Sequence, residues 1–308
     1  MVRLLLIGWL LAQASSFAPR QMFLFSYFTG NGEDGLHFAT SEDGLTWTAA
    51  GGGRSFLAPA VGSKLMRDPS IARGPDGVFH LVWTTGWWDK GIGVAHSKDL
   101  LEWSEQEFVP VMAHEADAQN CWAPEIFFDE DRGRFLIYWA TTIPGKFPDT
   151  DPKEAGLSRG DRMNHRMYFV ETTDFKTYSP ARILYDDGFS VIDAFIGKAA
   201  ADRYVMVLKD ERLRPTPKKH LRVTEARRPE GPYGPASDPI SVDWVEGPSV
   251  LKIGRDWIVY YDEYTRKRYG AIRSRDLKKW DVVQVSFPAG ARHGTAFAVP
   301  PDIAARLR

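Results

Sequence analysis

The chain has one cysteine, Cys121, so no disulfide can close within it and the fold must rest on packing. Its neighbours Asn120, Trp122 and Ala123 include no base to lower a thiol pKa. That favours a buried structural thiol over a nucleophile. An excess of one charge sign is also missing. Lys and Arg number 39 against 40 Asp and Glu, a formal net charge of -1, and the two signs are interspersed. This balance gives no electrostatic reason for a nucleic-acid or anionic-membrane partner. No apolar run approaches the roughly 20 residues that a membrane-spanning helix needs. Helical periodicity strong enough to define a second domain is absent. What remains is a chain of 308 residues, 44% hydrophobic, which is ample for a core.

The first residues stand apart. Arg3 supplies a positive start, Leu4 to Leu11 a short apolar run, and Ala12, Ala14, Ser15 and Ser16 a small-residue region. This pattern is that of a secretory leader over residues 1–18, cleaved near Ala14 to Ala18. It leaves one domain over 19–308 and an expected secreted or periplasmic location.

A repeat organises the rest. A strand-like run ending in Ser/Thr-x-Asp, with an aromatic residue four positions on, occurs at Ser41, Asp43 and Trp47 and again at Ser97, Asp99 and Trp103. It returns at Thr172, Asp174 and Tyr178 and at Ser274, Asp276 and Trp280, with a weaker copy at Leu221 to Ala226. The Ser/Thr-x-Asp segment reads as a turn in which side chains bond local backbone. Before each copy lies a run rich in β-branched and aromatic residues: Met22–Phe28, Phe79–Thr85, Phe135–Thr141, Tyr204–Leu208 and Trp257–Tyr261. Another short apolar segment precedes most of these. Each unit thus offers about four antiparallel strands, and five such units predict an all-β, five-bladed β-propeller. The N-terminal unit lacks its opening strand, and Thr295 to Val299 is a strand with nothing after it. Pairing the two completes the fifth blade and closes the ring.

The units open on Asp68, Glu125, Asp193 and Glu246, with His293 in the equivalent place of the fifth. First strands of propeller blades line the central axis, so these five residues are expected in register around one pocket. Converging carboxylates repel and lose hydration, a cost that calls for a functional reason. The loops after the second strands should rim that pocket. They carry Trp87 and Trp88, Lys209 to Arg212, Asp262 to Tyr264, and Thr29 to Asp34. Aromatics mixed with acids and amides suit a sugar, which has an apolar face and a hydroxyl edge. The long loop that runs to His165 is expected to form one wall.

In this order, Arg67-Asp68-Pro69, Trp122-Ala123-Pro124-Glu125, Ile192-Asp193, Glu246-Gly247-Pro248 and Arg292-His293-Gly294 resemble glycoside hydrolase family 43 over about Met22 to Pro300. The resemblance implies a five-bladed propeller that hydrolyses arabinose- or xylose-containing glycans with inversion. It also implies Asp68 as general base, Glu246 as general acid, Asp193 as the residue that orients the acid, and His293 beside a central cation. Two positions depart from the family pattern. Glu125 stands where Asp is frequent, and Ala194 where Pro is frequent. The expected substrate contacts are Glu125, Trp122, Trp87, Trp88, Asp34 and Arg292. No cofactor is required, and a structural Ca2+ or other cation near His293 is the one metal expected. Glu246 should hold a proton, with its pKa raised by Asp193 and partial burial, and Arg67 or Arg292 should help to keep Asp68 ionised.

The implied function is release of terminal α-L-arabinofuranosyl or β-xylosyl residues from an oligo- or polysaccharide. A β-galactosidase of the same fold, a non-catalytic carbohydrate-binding propeller and a structural protein-interaction propeller are the alternatives.

Overall fold

The computed structural model describes residues 21–308. The expected leader at residues 1–18 lies outside the described residues. Five antiparallel sheets follow one another. Blade 1 opens with Arg67–Arg73, blade 2 with Trp122–Asp129, blade 3 with Val191–Ala200 and blade 4 with Glu246–Ile253. Blade 5 is closed by the two ends of the chain: Arg292–Val299 pairs antiparallel with Met22–Phe28, from Met22 opposite Val299 to Phe28 opposite Arg292. The five opening strands touch one another in a closed cycle, so the ring is complete and the opening strands line its axis.

The core is divided among five clusters, each filling the gap between two neighbouring blades. Phe25, Trp47 and Tyr260 fill the one between blades 5 and 4, and Val82, Ile137 and Trp139 the one between blades 1 and 2. Second strands are therefore covered on both faces. Phe79–Thr84 is buried at every position, which is why it and its equivalents read as unbroken apolar runs rather than alternating ones. The Ser/Thr-x-Asp segments are turns, as expected. Asp276 accepts the backbone N–H groups of Lys278 and Lys279 and the Ser274 hydroxyl, and Asp43, Asp99 and Asp174 repeat this arrangement.

Two expectations need correction. Blade 3 has three strands rather than four. Its outer segment contains Pro232, Pro235 and Pro239, which cannot donate to a ladder. It still follows the edge, and the N–H groups of Gly234, Ser237 and Ile240 bond the carbonyls of Glu225, Val223 and Leu221. The C-terminal strand, too, is followed by something: a short helix, Pro301–Leu307, which buries Ile303, Ala304 and Leu307 against the cluster between blades 5 and 1. Among the described residues no helix is long and apolar enough to cross a membrane.

Candidate active site

Each opening strand carries the same irregularity near its start. Three steps along it face two along its partner, between Arg67 and Ser70, Trp122 and Glu125, Ile192 and Phe195, Glu246 and Ser249, and Arg292 and Thr295. These are β-bulges, which re-aim side chains. The second residue of the bulge has positive φ in four blades: Asp68 (52°), Ala123 (46°), Asp193 (50°) and Gly247 (60°). Such backbone is strained for residues other than glycine and tends to persist at functional sites.

The bulges fix the depth of each side chain. Asp68, Asp193 and His293 are equivalent to one another, at the second bulge position. Glu246 is one residue earlier, equivalent to Arg67, Trp122, Ile192 and Arg292. Glu125 is two residues later, equivalent to Ser70, Phe195, Ser249 and Thr295. The expectation of five residues in one register is therefore replaced by three layers. One residue of offset in the motifs is enough to move a side chain from one layer to the next.

In the middle layer His293 Nδ1 lies 3.3 Å from Asp68 Oδ1 and 4.0 Å from Asp193 Oδ2. Thr84 Oγ1 donates to Asp68 Oδ2 at 2.9 Å, and the Gly247 N–H donates to Asp193 Oδ2 at 3.1 Å. Burial works against charge on Asp68, but the His293 hydrogen bond and charge, Arg67 and Thr84 outweigh it and hold the pKa at about 2. Burial works against the charged imidazole as well, yet Asp193 and Asp68 raise His293 to about 9. Burial also pushes Asp193 up to about 6, against the pull of His293 and Lys209.

Glu246, in the outer layer, is partly exposed and held by two cations. Lys209 Nζ is 3.3 Å from Oε2 and Arg292 Nη2 is 3.1 Å from Oε1. Burial raises its pKa, but Lys209 and Arg292 outweigh this and the net shift is downward. The expected upward shift is thus reversed in the free protein. Lys209 and Arg292 are 37 and 46 residues away in sequence, so the motif around Glu246 does not show them. Arg292 does not serve Asp68. Its Nε donates to Asp262 at 3.1 Å, while Arg67 takes the supporting role beside Asp68. Of the two acids, Asp193 is therefore the one that binds a proton more readily when the site holds no substrate.

Glu125, expected to touch substrate, lies in the inner layer and is only 3% exposed. Ser70 Oγ donates to it at 2.5 Å and Thr295 Oγ1 at 2.9 Å, joining blades 1, 2 and 5 beneath the pocket. Burial lifts its pKa to about 7 in spite of these bonds. This is a strut across the axis rather than a substrate contact.

The rim is aromatic. Trp122 lies edge-on to Trp87 with centroids 5.6 Å apart, and 6.0 Å from Trp88. Its Nε1 donates to the Trp87 carbonyl at 2.7 Å. Trp87 and Trp88 stay 42% and 41% exposed, so packing leaves ring surface available. Trp87 Nε1 and Arg67 Nη1 both donate to Asn31 Oδ1 at 3.1 Å, which brings the first loop of blade 5 into the wall. Asp34 is spent within that loop, accepting from Thr29 at 2.8 Å and pairing with His37 at 2.9 Å. Asn31, Lys209 and Asp262, each in a loop expected at the rim though given no individual role, join the site. Their positions at the ends of second strands were the available signal. Cys121 is fully buried, and burial raises its thiol pKa.

No group of three or more His, Cys, Asp and Glu side chains that could hold a metal occurs among the described residues. His293 is itself the positive charge between Asp68 and Asp193.

Residues 18–302 match the family model described as "Probable glycosyl hydrolase domain", of the family 43-related group. No curated protein matches the chain. Similar solved structures include α-L-arabinofuranosidase from Lactobacillus brevis, 18% identical over 71% of this chain and 73% of that one, with TM-score 0.54. α-L-Arabinanase from Cellvibrio cellulosa, complexed with arabinohexaose, is 15% identical over 88% and 96%, with TM-score 0.59. Exo-β-1,3-galactanase from Phanerochaete chrysosporium, with β-1,3-galactotriose, is 8% identical over 76% and 53%, with TM-score 0.55. At such identities the likeness is one of fold.

Proposed function

Because the chain belongs to the family 43-related glycosyl hydrolases, we propose that it is an inverting glycosidase that releases a terminal α-L-arabinofuranosyl or β-xylosyl residue from a glycan. Membership makes it a glycosidase. The sugar, the stereochemistry and the residue roles are the inference. The observation that carries the residue roles is the meeting of Asp68, Asp193 and Glu246, from three different blades, at one end of the axis. The arabinanase and the galactanase among its structural likenesses hold arabinohexaose and β-1,3-galactotriose, which supports a carbohydrate substrate without choosing one.

In the reaction, Asp68 takes a proton from a water molecule as that water attacks the anomeric carbon. Glu246 gives its proton to the departing glycosidic oxygen as the carbon–oxygen bond breaks. A single displacement of this kind inverts the anomeric centre, and its two carboxyl groups stand roughly 6.5–9.5 Å apart to admit the water. Asp68 suits the base role because His293 keeps it ionised throughout the physiological range. Glu246 needs a proton that, in the free site, Asp193 binds more readily. Approach of the neutral glycosidic oxygen and loss of solvent favour the protonated form of Glu246. Asp193, bonded to the backbone N–H next to Glu246, fixes the acid's position. The leader pattern at residues 1–18 adds the proposal that the enzyme is exported.

A panel of 4-nitrophenyl arabinofuranoside, xyloside and galactoside, with NMR of the first-formed anomer, tests this reading. Hydrolysis of a pentoside with inversion is expected. Glu246→Gln and Asp68→Asn should each lower kcat on it by about a thousandfold or more with the fold intact. Near-normal kcat in either variant would overturn the roles, and preference for the galactoside would overturn the sugar.

A further inference from the structure

Arg67 opens blade 1 in the outer layer of the axial site, one residue before Asp68 and equivalent to Glu246 and Arg292. It is 8% exposed, and its guanidinium lies over the rings of Phe28 and Trp87, at 4.7 and 4.3 Å. Its stem is fixed as well. Gly32 stands at φ +90°, and a Cβ there would come within 2.9 Å of Arg67 Cγ, so the first loop of blade 5 closes directly on it. Nη1 donates to Asn31 Oδ1 at 3.1 Å and to the Asn31 carbonyl at 3.4 Å. Among the described residues Nε and Nη2 donate to no group of the protein, yet neither is sealed from solvent.

That leaves one cation of the axial site without an anion. The others are paired: Arg292 has Glu246 and Asp262 each at 3.1 Å, and Lys209 has Glu211 at 2.9 Å and Glu246 at 3.3 Å. Lys219 pairs with Glu211, and His293 with Asp68 at 3.3 Å. No carboxylate among the described residues forms an ion pair with Arg67. Asp68 feels its charge, but the two Asp68 oxygens are committed to His293 and Thr84. A largely buried charge is costly when unpaired, and one at a pocket mouth is paired by what enters. The free edge says which anion that is. Nε–H and Nη2–H lie side by side in the guanidinium plane and match the two oxygens of a carboxylate. The Phe28 and Trp87 rings exclude water beside them, which strengthens a charge-assisted bond. Hydroxyls of a neutral sugar would leave the charge unbalanced.

We propose that Arg67 reads a carboxylate on the glycan, so that the natural substrate carries a uronic acid close to the bond that is cut. This rests on the glycosidase reading above and adds the charge of the substrate to it. Arg67 is then a specificity-determining residue at the blade 1 edge of the pocket.

The test reads Kd by stopped-flow tryptophan fluorescence at low salt, before any turnover. It compares β-1,4-xylotriose with its 4-O-methyl-α-D-glucuronosyl derivative, and α-1,4-galactotriose with α-1,4-trigalacturonate. At least one acidic member should bind the wild type about tenfold more tightly than its neutral partner. Arg67→Gln should bring that ratio close to one. Arg67→Lys, which keeps the charge and loses the paired N–H edge, should retain part of it. A purely structural role would weaken both members together and leave the ratio unchanged. Equal affinity for acid and neutral in both pairs overturns the inference. So does a preference that survives Arg67→Gln, which would assign the acid to Arg292 or Lys209. If Arg67→Gln does not fold, Arg67→Lys carries the test, and an undiminished ratio overturns it. A sulfated galactotriose bound more tightly than trigalacturonate overturns the carboxylate. Wild type that prefers the acid yet cleaves no aryl glycoside sinks the glycosidase reading instead, and cleavage without acid preference sinks this inference alone.

Discussion

At the scale of single residues, the site is a set of protons placed by burial and countered by charge. Raised carboxylates weaken the fold as pH increases, because the unfolded chain ionises first. Glu125 does so between its ordinary 4.5 and about 7, and Asp193 between 3.8 and about 6. His293, raised from 6.5 to about 9, contributes stability that is fully present below 6.5 and lost as pH climbs through 9. Asp68 contributes in the opposite sense, and its share is lost only as pH falls from 3.8 through about 2. The axial groups therefore predict a Tm that is highest on the acid side of neutrality, near pH 4–5, and falls steadily to pH 9. Glu125→Gln should flatten the fall between pH 4.5 and 7 while hydrolysis continues, because an amide can still bond Ser70 and Thr295. A Tm that rises across this range, or an inactive but folded Glu125→Gln, would contradict the account. Activity adds a second handle. The Asp193–Glu246 pair gives up its last proton near 6, so kcat/KM should decline above that pH. Lys209 pulls that proton away from Glu246, and Lys209→Met should move the basic limb of the profile to higher pH. A limb that stays in place would show that Lys209 has no hold on the acid.

At the scale of the element, the opening strand with its bulge is the unit that makes the site. It explains which parts of the site were legible in the sequence. Asp68 and Glu246 announce themselves through the adjacent Pro69 and Gly247-Pro248 pair, and Asp193 through its place in the repeat ahead of its second strand. The motif spacing does not reveal depth. Glu125 looks equivalent to Asp68 when counted from the following strand, yet two residues of register put it in a different layer, under the pocket. Nor can a motif show partners from other blades, and so the two cations on Glu246 reversed the expected direction of its pKa. The bulge also fixes the tolerance of its members. A Cβ on Gly247 would come within 2.4–2.5 Å of the His293 ring and 2.8 Å of its Cβ, and φ there is +60°. Gly247→Ala must therefore strain the backbone and displace His293 from Asp68. A loss of about 2–4 kcal/mol in urea unfolding is expected, with activity falling more than stability alone would explain. Wild-type stability in this variant would mean that the bulge is not held as described.

At the scale of the whole molecule, five repeats become one active site only if the ring stays closed. The five-fold pattern was readable because each blade repeats its turn chemistry and its twice-covered second strand. The missing opening strand at one end and the spare strand at the other gave the closure. The third blade's proline-rich edge and the final helix were less visible, since neither carries a repeated signature. Closure and catalysis share one element: Arg292–Val299 pairs with Met22–Phe28 and also delivers Arg292 and His293 to the pocket. The final helix contributes burial through Ile303, Ala304 and Leu307, and Arg308 at its end pairs with Glu42 at 3.5 Å. The two can be separated by truncation. Removing residues 301–308 takes away that buried surface and should cost about 3–5 kcal/mol, yet leave a cooperative, active enzyme with a lower Tm. Removing residues 292–308 leaves the inner edge of Met22–Phe28 unpaired and the cluster between blades 5 and 4 open on one side. That chain should lose its cooperative thermal transition and aggregate, as followed by circular dichroism and size-exclusion chromatography. A sharp transition near the full-length Tm after the longer truncation would show that the blades stand without the clasp, and that the strand serves the pocket only.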